Sequence, residues 1–217
     1  MSGNYDGYKT VAERAEASFT EKKSEFIGYI APCKTEAEAL SFIEEIRKLH
    51  RKATHNCYAY ILRDNNIGRH SDDGEPSGTA GAPMFEVLKK EGLTDVCCVV
   101  TRYFGGVLLG AGGLVRAYTN GVKIAVEAAR IKEMKIAERV KISLDYSLYG
   151  KMGAVFSEFD VRTEKEEFGT GVEIVLFVEA GKAEEFCERV KDVCFGRVGI
   201  ERVEVVEYDF GGGLLGR

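Results

Sequence analysis

Five glycines fall within nine positions, residues 105–113. They separate the apolar run at residues 96–100 from a stripe of Leu114, Ala117, Tyr118, Val122 and Ala125 at helical spacing. The chain must therefore pass from a strand that is apolar on both faces into an amphipathic helix through a segment with few side chains to bury. Such a strand belongs in the middle of a sheet covered on both sides. Glycine permits positive φ, so successive N–H groups can converge on an anion, and the following helix adds its positive dipole end. Gly105, Gly106, Gly110, Gly112 and Gly113 are the candidate anion-binding positions, with Arg102 and Arg116 flanking them to supply formal charge. The alternative is structural: the same glycines permit tight strand-to-helix packing.

Nucleotide motifs with known spacing do not fit. Gly105 and Gly110 have P-loop spacing, but Ala111 and Gly112 stand where Lys and Ser or Thr are needed. Gly110 and Gly112 match the first two glycines of the dinucleotide pattern, and Val115 occupies the third position.

The second dense segment is residues 69–81. Asp72, Asp73 and Glu75 place three carboxylates in four positions. They suit Mg²⁺ with phosphate oxygens, or acid–base work with His70 or His55. They also suit a turn, in which Asp72 and Asp73 accept from neighbouring backbone N–H groups. Ser77 carries no local nucleophile signature, and no catalytic residue is identified. His55, His70, Asp72, Asp73, Glu75 and Ser77 thus form a possible shared site with the glycine stretch. No metal or cofactor is expected: His55 and Cys57 can share a strand face, but two ligands do not make a tetrahedral site. The six cysteines include no C-x-x-C pair and read as free thiols.

Charge is uneven. Residues 1–130 carry 17 basic and 17 acidic side chains, so the net −5 belongs to the remainder. Between Arg47 and His70 lie six cations, one anion and all three histidines, either a phosphate-attracting patch or a solvated helix end. No run approaches the ~20 apolar residues of a membrane span, and the first nine residues lack a secretory pattern. A cytoplasmic protein is expected.

The 217 residues allow two small domains. Thr35 and Glu38 form a capping box ahead of a helix over residues 36–51, preceded by two strands within residues 10–30. Strands at residues 57–62 and 96–101 and helices at 83–90 and 114–129 complete a domain of residues 1–132. A polar stretch at residues 131–135 marks the boundary. Residues 133–217 then read strand, helix, strand, strand, helix, strand, a ferredoxin-like βαββαβ order, with a loose tail at residues 211–217. The fold class is α+β.

Residues 55–60, 71–83 and 102–118 together resemble the YigZ/IMPACT family in order and spacing. The resemblance covers residues 10–130, and the second half is similar to the C-terminal domain of bacterial members. It implies a first domain with the fold of domain 2 of a small-subunit ribosomal protein, shared with translation factors and small-molecule kinases. It also implies a C-terminal domain similar to those of elongation factor G. Eukaryotic members are translational regulators that relieve an initiation-factor kinase by competing for its activator, and they carry an extra N-terminal partner-binding domain; with only about nine residues ahead of the first expected strand, this chain is expected to lack that part, and the kinase-regulating role is not among the expectations. The expected function is translation-associated regulation by binding a polyanion, RNA or the ribosome, through the glycine-rich loop, with a protein partner possible. The alternative is a metal-assisted enzyme acting on a phosphorylated small molecule.

Overall fold

The computed structural model describes residues 7–211; apart from Gly211, the tail expected to be loose lies outside the described residues. The chain divides into two compact units, one of residues 8–132 and one built on residues from 133 onward together with Gly7.

In the first unit the elements run β1 (Tyr8–Val11), β2 (Ala15–Glu21), β3 (Ser24–Pro32), α1 (Glu36–Leu49), β4 (His55–Leu62), β5 (Ile67–Ser71), α2 (Gly81–Lys90), β6 (Val96–Tyr103) and α3 (Ala111–Ala128). The sheet order is β2-β3-β6-β4-β5, with antiparallel neighbours throughout. β6 is central because both of its faces are apolar. Val96, Cys98 and Val100 join the core under α2 and α3, whereas Cys97 and Val99 join the core under α1.

α1 begins as the capping pattern requires. Thr35 accepts from the Glu38 N–H at 3.2 Å, while the Glu38 carboxylate reaches back one residue further than the motif, to the Lys34 N–H. α3 starts three residues earlier than the apolar stripe indicates, so Gly112 and Gly113 belong to its first turn. β1 and β5 are absent from the sequence reading. Both are short, and β5 is half exposed without clean alternation.

The second unit contains β7 (Ile131–Leu144), α4 (Tyr146–Tyr149), α5 (Met152–Glu158), β8 (Arg162–Phe168), β9 (Val172–Glu179), α6 (Ala183–Val193) and β10 (Val198–Asp209). Its antiparallel order β10-β7-β9-β8 gives the βαββαβ arrangement. The mixed-charge stretch at residues 131–135 is not a break in the pattern. It is the start of β7, where Met134 and Lys135 pair with Asp209 and Tyr208; ladder hydrogen bonds there override a composition that looks like a linker.

α3 approaches the sheet closely at Gly28, where an added Cβ would lie 2.1 Å from the Gly121 carbonyl oxygen. No side chain fits without moving α3 off β3. Gly28→Ala should destabilise the protein by about 1–3 kcal/mol, the usual cost of overpacking. Urea unfolding measures this, and a change below about 0.5 kcal/mol would show that the helix rides more loosely than described.

Candidate functional site

Strand register brings several chain segments to one end of the first sheet. Arg102 on β6 stands opposite Phe26 on β3 and His55 on β4. The Lys22–Lys23 turn, residues 51–54 and the loop that leads into α3 therefore meet at this end. Thr54 fastens the last two: its N–H donates to the Arg102 carbonyl and its hydroxyl accepts from the Phe104 N–H. A cavity of about 400 Å³ opens here, walled by Phe104, Leu108 and Leu114 and bearing His55, Glu75 and Arg102.

The acidic trio divides into three roles. Asp72 organises its own loop, with Oδ1 accepting from the Ala80 and Gly81 N–H groups and Oδ2 from that of Gly78. Partial burial pushes its carboxyl upward, but these three N–H groups outweigh that and hold it below the ordinary carboxylate value. Asp73 accepts from the Arg47 guanidinium at 3.0 Å and from the Asn56 N–H at 2.7 Å. Only Glu75 is buried, and its Oε1 accepts from Arg102 Nη1 at 2.6 Å and from the Tyr118 hydroxyl at 2.8 Å. Burial holds the Tyr118 phenol well above its ordinary value, so it remains a donor. Burial does the same to the Cys57 thiol, which donates to the Asp72 carbonyl.

Arg102 is 5% exposed. Its Nη2 donates to Ser24 Oγ, its guanidinium carbon lies 5.4 and 5.5 Å from the Phe26 and Phe104 ring centroids, and among the described residues its Nε has no hydrogen-bond partner. His55 Nδ1 lies 2.8 Å from the Asp73 carbonyl oxygen. A carbonyl only accepts, so Nδ1 carries the proton and, in the neutral ring, Nε2 presents a lone pair. That Nε2 is 3.8 Å from Glu75 Oε2.

The structure thus gathers Arg102, Glu75, His55 and Gly110 around one cavity. Gly106 and Gly110 have φ of +82° and +73°, with open space where a Cβ would stand. Gly105 is packed instead, against the Lys23 carbonyl. Arg116 is exposed, and its Nη1 would lie 3.8 Å from a Cβ on Gly112, so the guanidinium covers the first turn of α3, to which Gly113 also belongs. His70 is exposed on β5 against Phe85, and Ser77 is exposed in the 72–80 loop; neither lines the cavity. Among the described residues, no group of three or more His, Cys, Asp or Glu side chains is placed to hold a metal ion.

The basic stretch is also dispersed. Arg47 serves Asp73, and Arg63 pairs with Asp95, beside the far end of β6. His50 lies between the Tyr29 and Tyr103 hydroxyls, where burial lowers its pKa. Lys48, Arg51 and Lys52 remain exposed. From helical spacing Tyr118 reads only as core, and Ser24 does not stand out. The available signal was the phenol itself, since a buried tyrosine hydroxyl requires a partner. A larger hollow of about 590 Å³ in the second unit, around Gly169 and Arg197, contains no buried charged side chain.

Arg102→Met should cost about 3–5 kcal/mol in urea unfolding, because it strands the Glu75 carboxylate. Adding Glu75→Leu should recover part of this; a double variant no more stable than Arg102→Met would contradict the pairing. Asp72 supplies a pH signature. Its folded pKa lies below the unfolded value of ~3.9, so its contribution is complete above that pH and is lost as pH falls toward the folded value. The stability gap between the parent protein and Asp72→Asn should therefore narrow between pH 6 and pH 3; a constant gap would show that the three N–H bonds do not favour the charged form.

Comparison with known proteins follows the same division. Residues 22–126 match the Impact N-terminal domain, and residues 142–197 match a domain of unknown function, DUF1949. The chain is 41% identical over 199 residues to the IMPACT family member YvyE of Bacillus subtilis, covering 91% of this chain and 92% of that protein. It is 32% identical to the IMPACT family member YigZ of Escherichia coli, covering 84% and 91%. The Protein IMPACT homolog of Dictyostelium discoideum is 38% identical over 98 residues, which is 43% of this chain and 28% of that one. A solved structure described as a hypothetical protein aligns with TM-score 0.56 at 30% identity, covering 91% of this chain and 98% of its own. In both sequence and α+β fold, this chain belongs to the IMPACT family.

Proposed function

We propose that the chain is a translation-associated regulatory protein whose first domain binds a polyanion, RNA or the ribosome, at the sheet end where the glycine-rich loop opens α3. Family membership supports the link to translation, and the site supports the polyanion. One observation carries the reading: open, positive-φ glycines at the start of α3 share a sheet end with the exposed cations Lys22, Lys23, Arg51, Lys52 and Arg116. Backbone N–H groups at a helix start, with cations around them, favour phosphate.

The geometry reassigns the charges. Arg102, expected to meet the anion, is neutralised by Glu75, so phosphate contacts fall to Arg116 and the hairpin lysines. The metal-assisted alternative draws no support from the acidic trio, whose carboxylates are divided among Asp72's loop, Arg47 and Arg102. Among the described residues, no helix is long and apolar enough to cross a membrane. We place the protein with ribosomes in the cytoplasm.

Arg116→Ala should weaken binding to structured RNA or purified ribosomes by roughly 1.5–3 kcal/mol and lower the slope of log affinity against log salt by about one, with melting temperature unchanged. Filter binding and co-sedimentation across a salt series supply the measurement. Unchanged affinity and slope for Arg116→Ala and for Lys22→Ala/Lys23→Ala together would remove this sheet end as the polyanion site.

A further inference from the structure

Inside the cationic rim, the cavity has a donor–acceptor pattern that the proposed phosphate contacts do not use. Glu75 Oε1 already receives two hydrogen bonds, whereas Oε2 faces His55 Nε2 at 3.8 Å, beyond hydrogen-bond range. The Asp73 carbonyl holds a proton on His55 Nδ1, so the neutral ring turns Nε2 to the cavity as a second acceptor beside Glu75 Oε2. Both acceptors open on the cavity and receive no hydrogen bond from a described side chain, so a group with two N–H bonds can meet them together. The walls are apolar: Phe104 is 45% exposed and Leu108 81%, an unusual display for large hydrophobic side chains unless something covers them. The volume of about 400 Å³ falls in the range of small-ligand pockets.

A flat apolar ring with an exocyclic amino group and a phosphate a few bonds away satisfies all three features. We infer that the cavity takes one unstacked amino-bearing nucleobase, adenine, cytosine or guanine, whose amino group donates one N–H to Glu75 Oε2 and the other to His55 Nε2. Its ring lies against Phe104 and Leu108, and its 5′-phosphate rests at the start of α3 beside Arg116. The inference rests on the reading of the rim as a phosphate site, and it adds base selectivity to that site. The nucleotide can come from an RNA strand or from the free pool, and the chemistry is shared.

The test compares AMP with purine riboside 5′-monophosphate, which has the same ring, sugar and phosphate without the amino group. Equilibrium dialysis of the full chain should show AMP bound at least tenfold more tightly, because the analogue leaves both acceptors unpaired. Filter binding with octanucleotides provides the second arm: oligo-A and oligo-C should exceed oligo-U by a similar factor if the source is RNA. Selectivity seen only with mononucleotides identifies the free pool, and selectivity seen only with octamers identifies RNA. His55→Ala should erase the preference. Leu108→Asp, at an exposed position where folding is not at stake, should weaken AMP at unchanged melting temperature. Equal binding with and without the amino group in both arms overturns the pocket. If salt-dependent RNA binding persists in that case, the polyanion reading survives alone; if RNA binding is absent while AMP selectivity holds, the pocket survives as a free-nucleotide site.

Discussion

The buried ion pair between Glu75 and Arg102 organises the first domain. Two opposite charges, each almost fully enclosed, are stable there because their neighbours compensate them: Tyr118 donates to Glu75, Ser24 accepts from Arg102, and the Phe26 and Phe104 ring centroids lie 5.4 and 5.5 Å from the guanidinium carbon. The pair joins the 72–80 loop to the end of β6, and Tyr118 brings α3 into the same knot. A buried charge pair adds little net stability over an apolar core, but it is intolerant of misplacement. The loop entering α3 and the loop after β5 are thereby set against each other.

That arrangement separates two kinds of charge. Buried charge on Arg102 and Glu75 and half-buried charge on Asp73 and Arg47 serve the architecture. Exterior charge on Lys22, Lys23, Arg51, Lys52 and Arg116 stays in solvent, where it can attract phosphate over a Debye length of roughly 8–10 Å. The overall −5 does not oppose this, because the excess of acidic side chains lies in residues 131–217.

Much of the fold is legible in the sequence because periodicity is local. The apolar run around Val96 and Val99 announces a central strand, Thr35 announces the start of α1, and alternation from Val140 to Leu144 announces a one-faced strand. Short elements such as β5 carry no periodic signal, and the start of β7 is disguised by charges that the ladder accommodates. The residue types of the candidate site stand out in the sequence, but their partners do not. Nothing in one dimension pairs Arg102 with Glu75, 27 positions away, rather than with a ligand. Asp72 could be read as a turn former from spacing, whereas the ordered division of the trio required the long-range approach of Arg47, Asn56 and Tyr118.

The central claim is that one end of the first sheet receives the polyanion. An NMR titration of the ¹⁵N-labelled chain with a short structured RNA tests it most directly. The account predicts that the amide signals of Lys22, Lys23, Gly106, Gly110, Ala111 and Gly112 shift first and furthest, while those at the opposite sheet end, from Leu62 to Gly68 and at Asp95, stay in place. Shifts concentrated at that opposite end, or confined to residues 133–211, would contradict it.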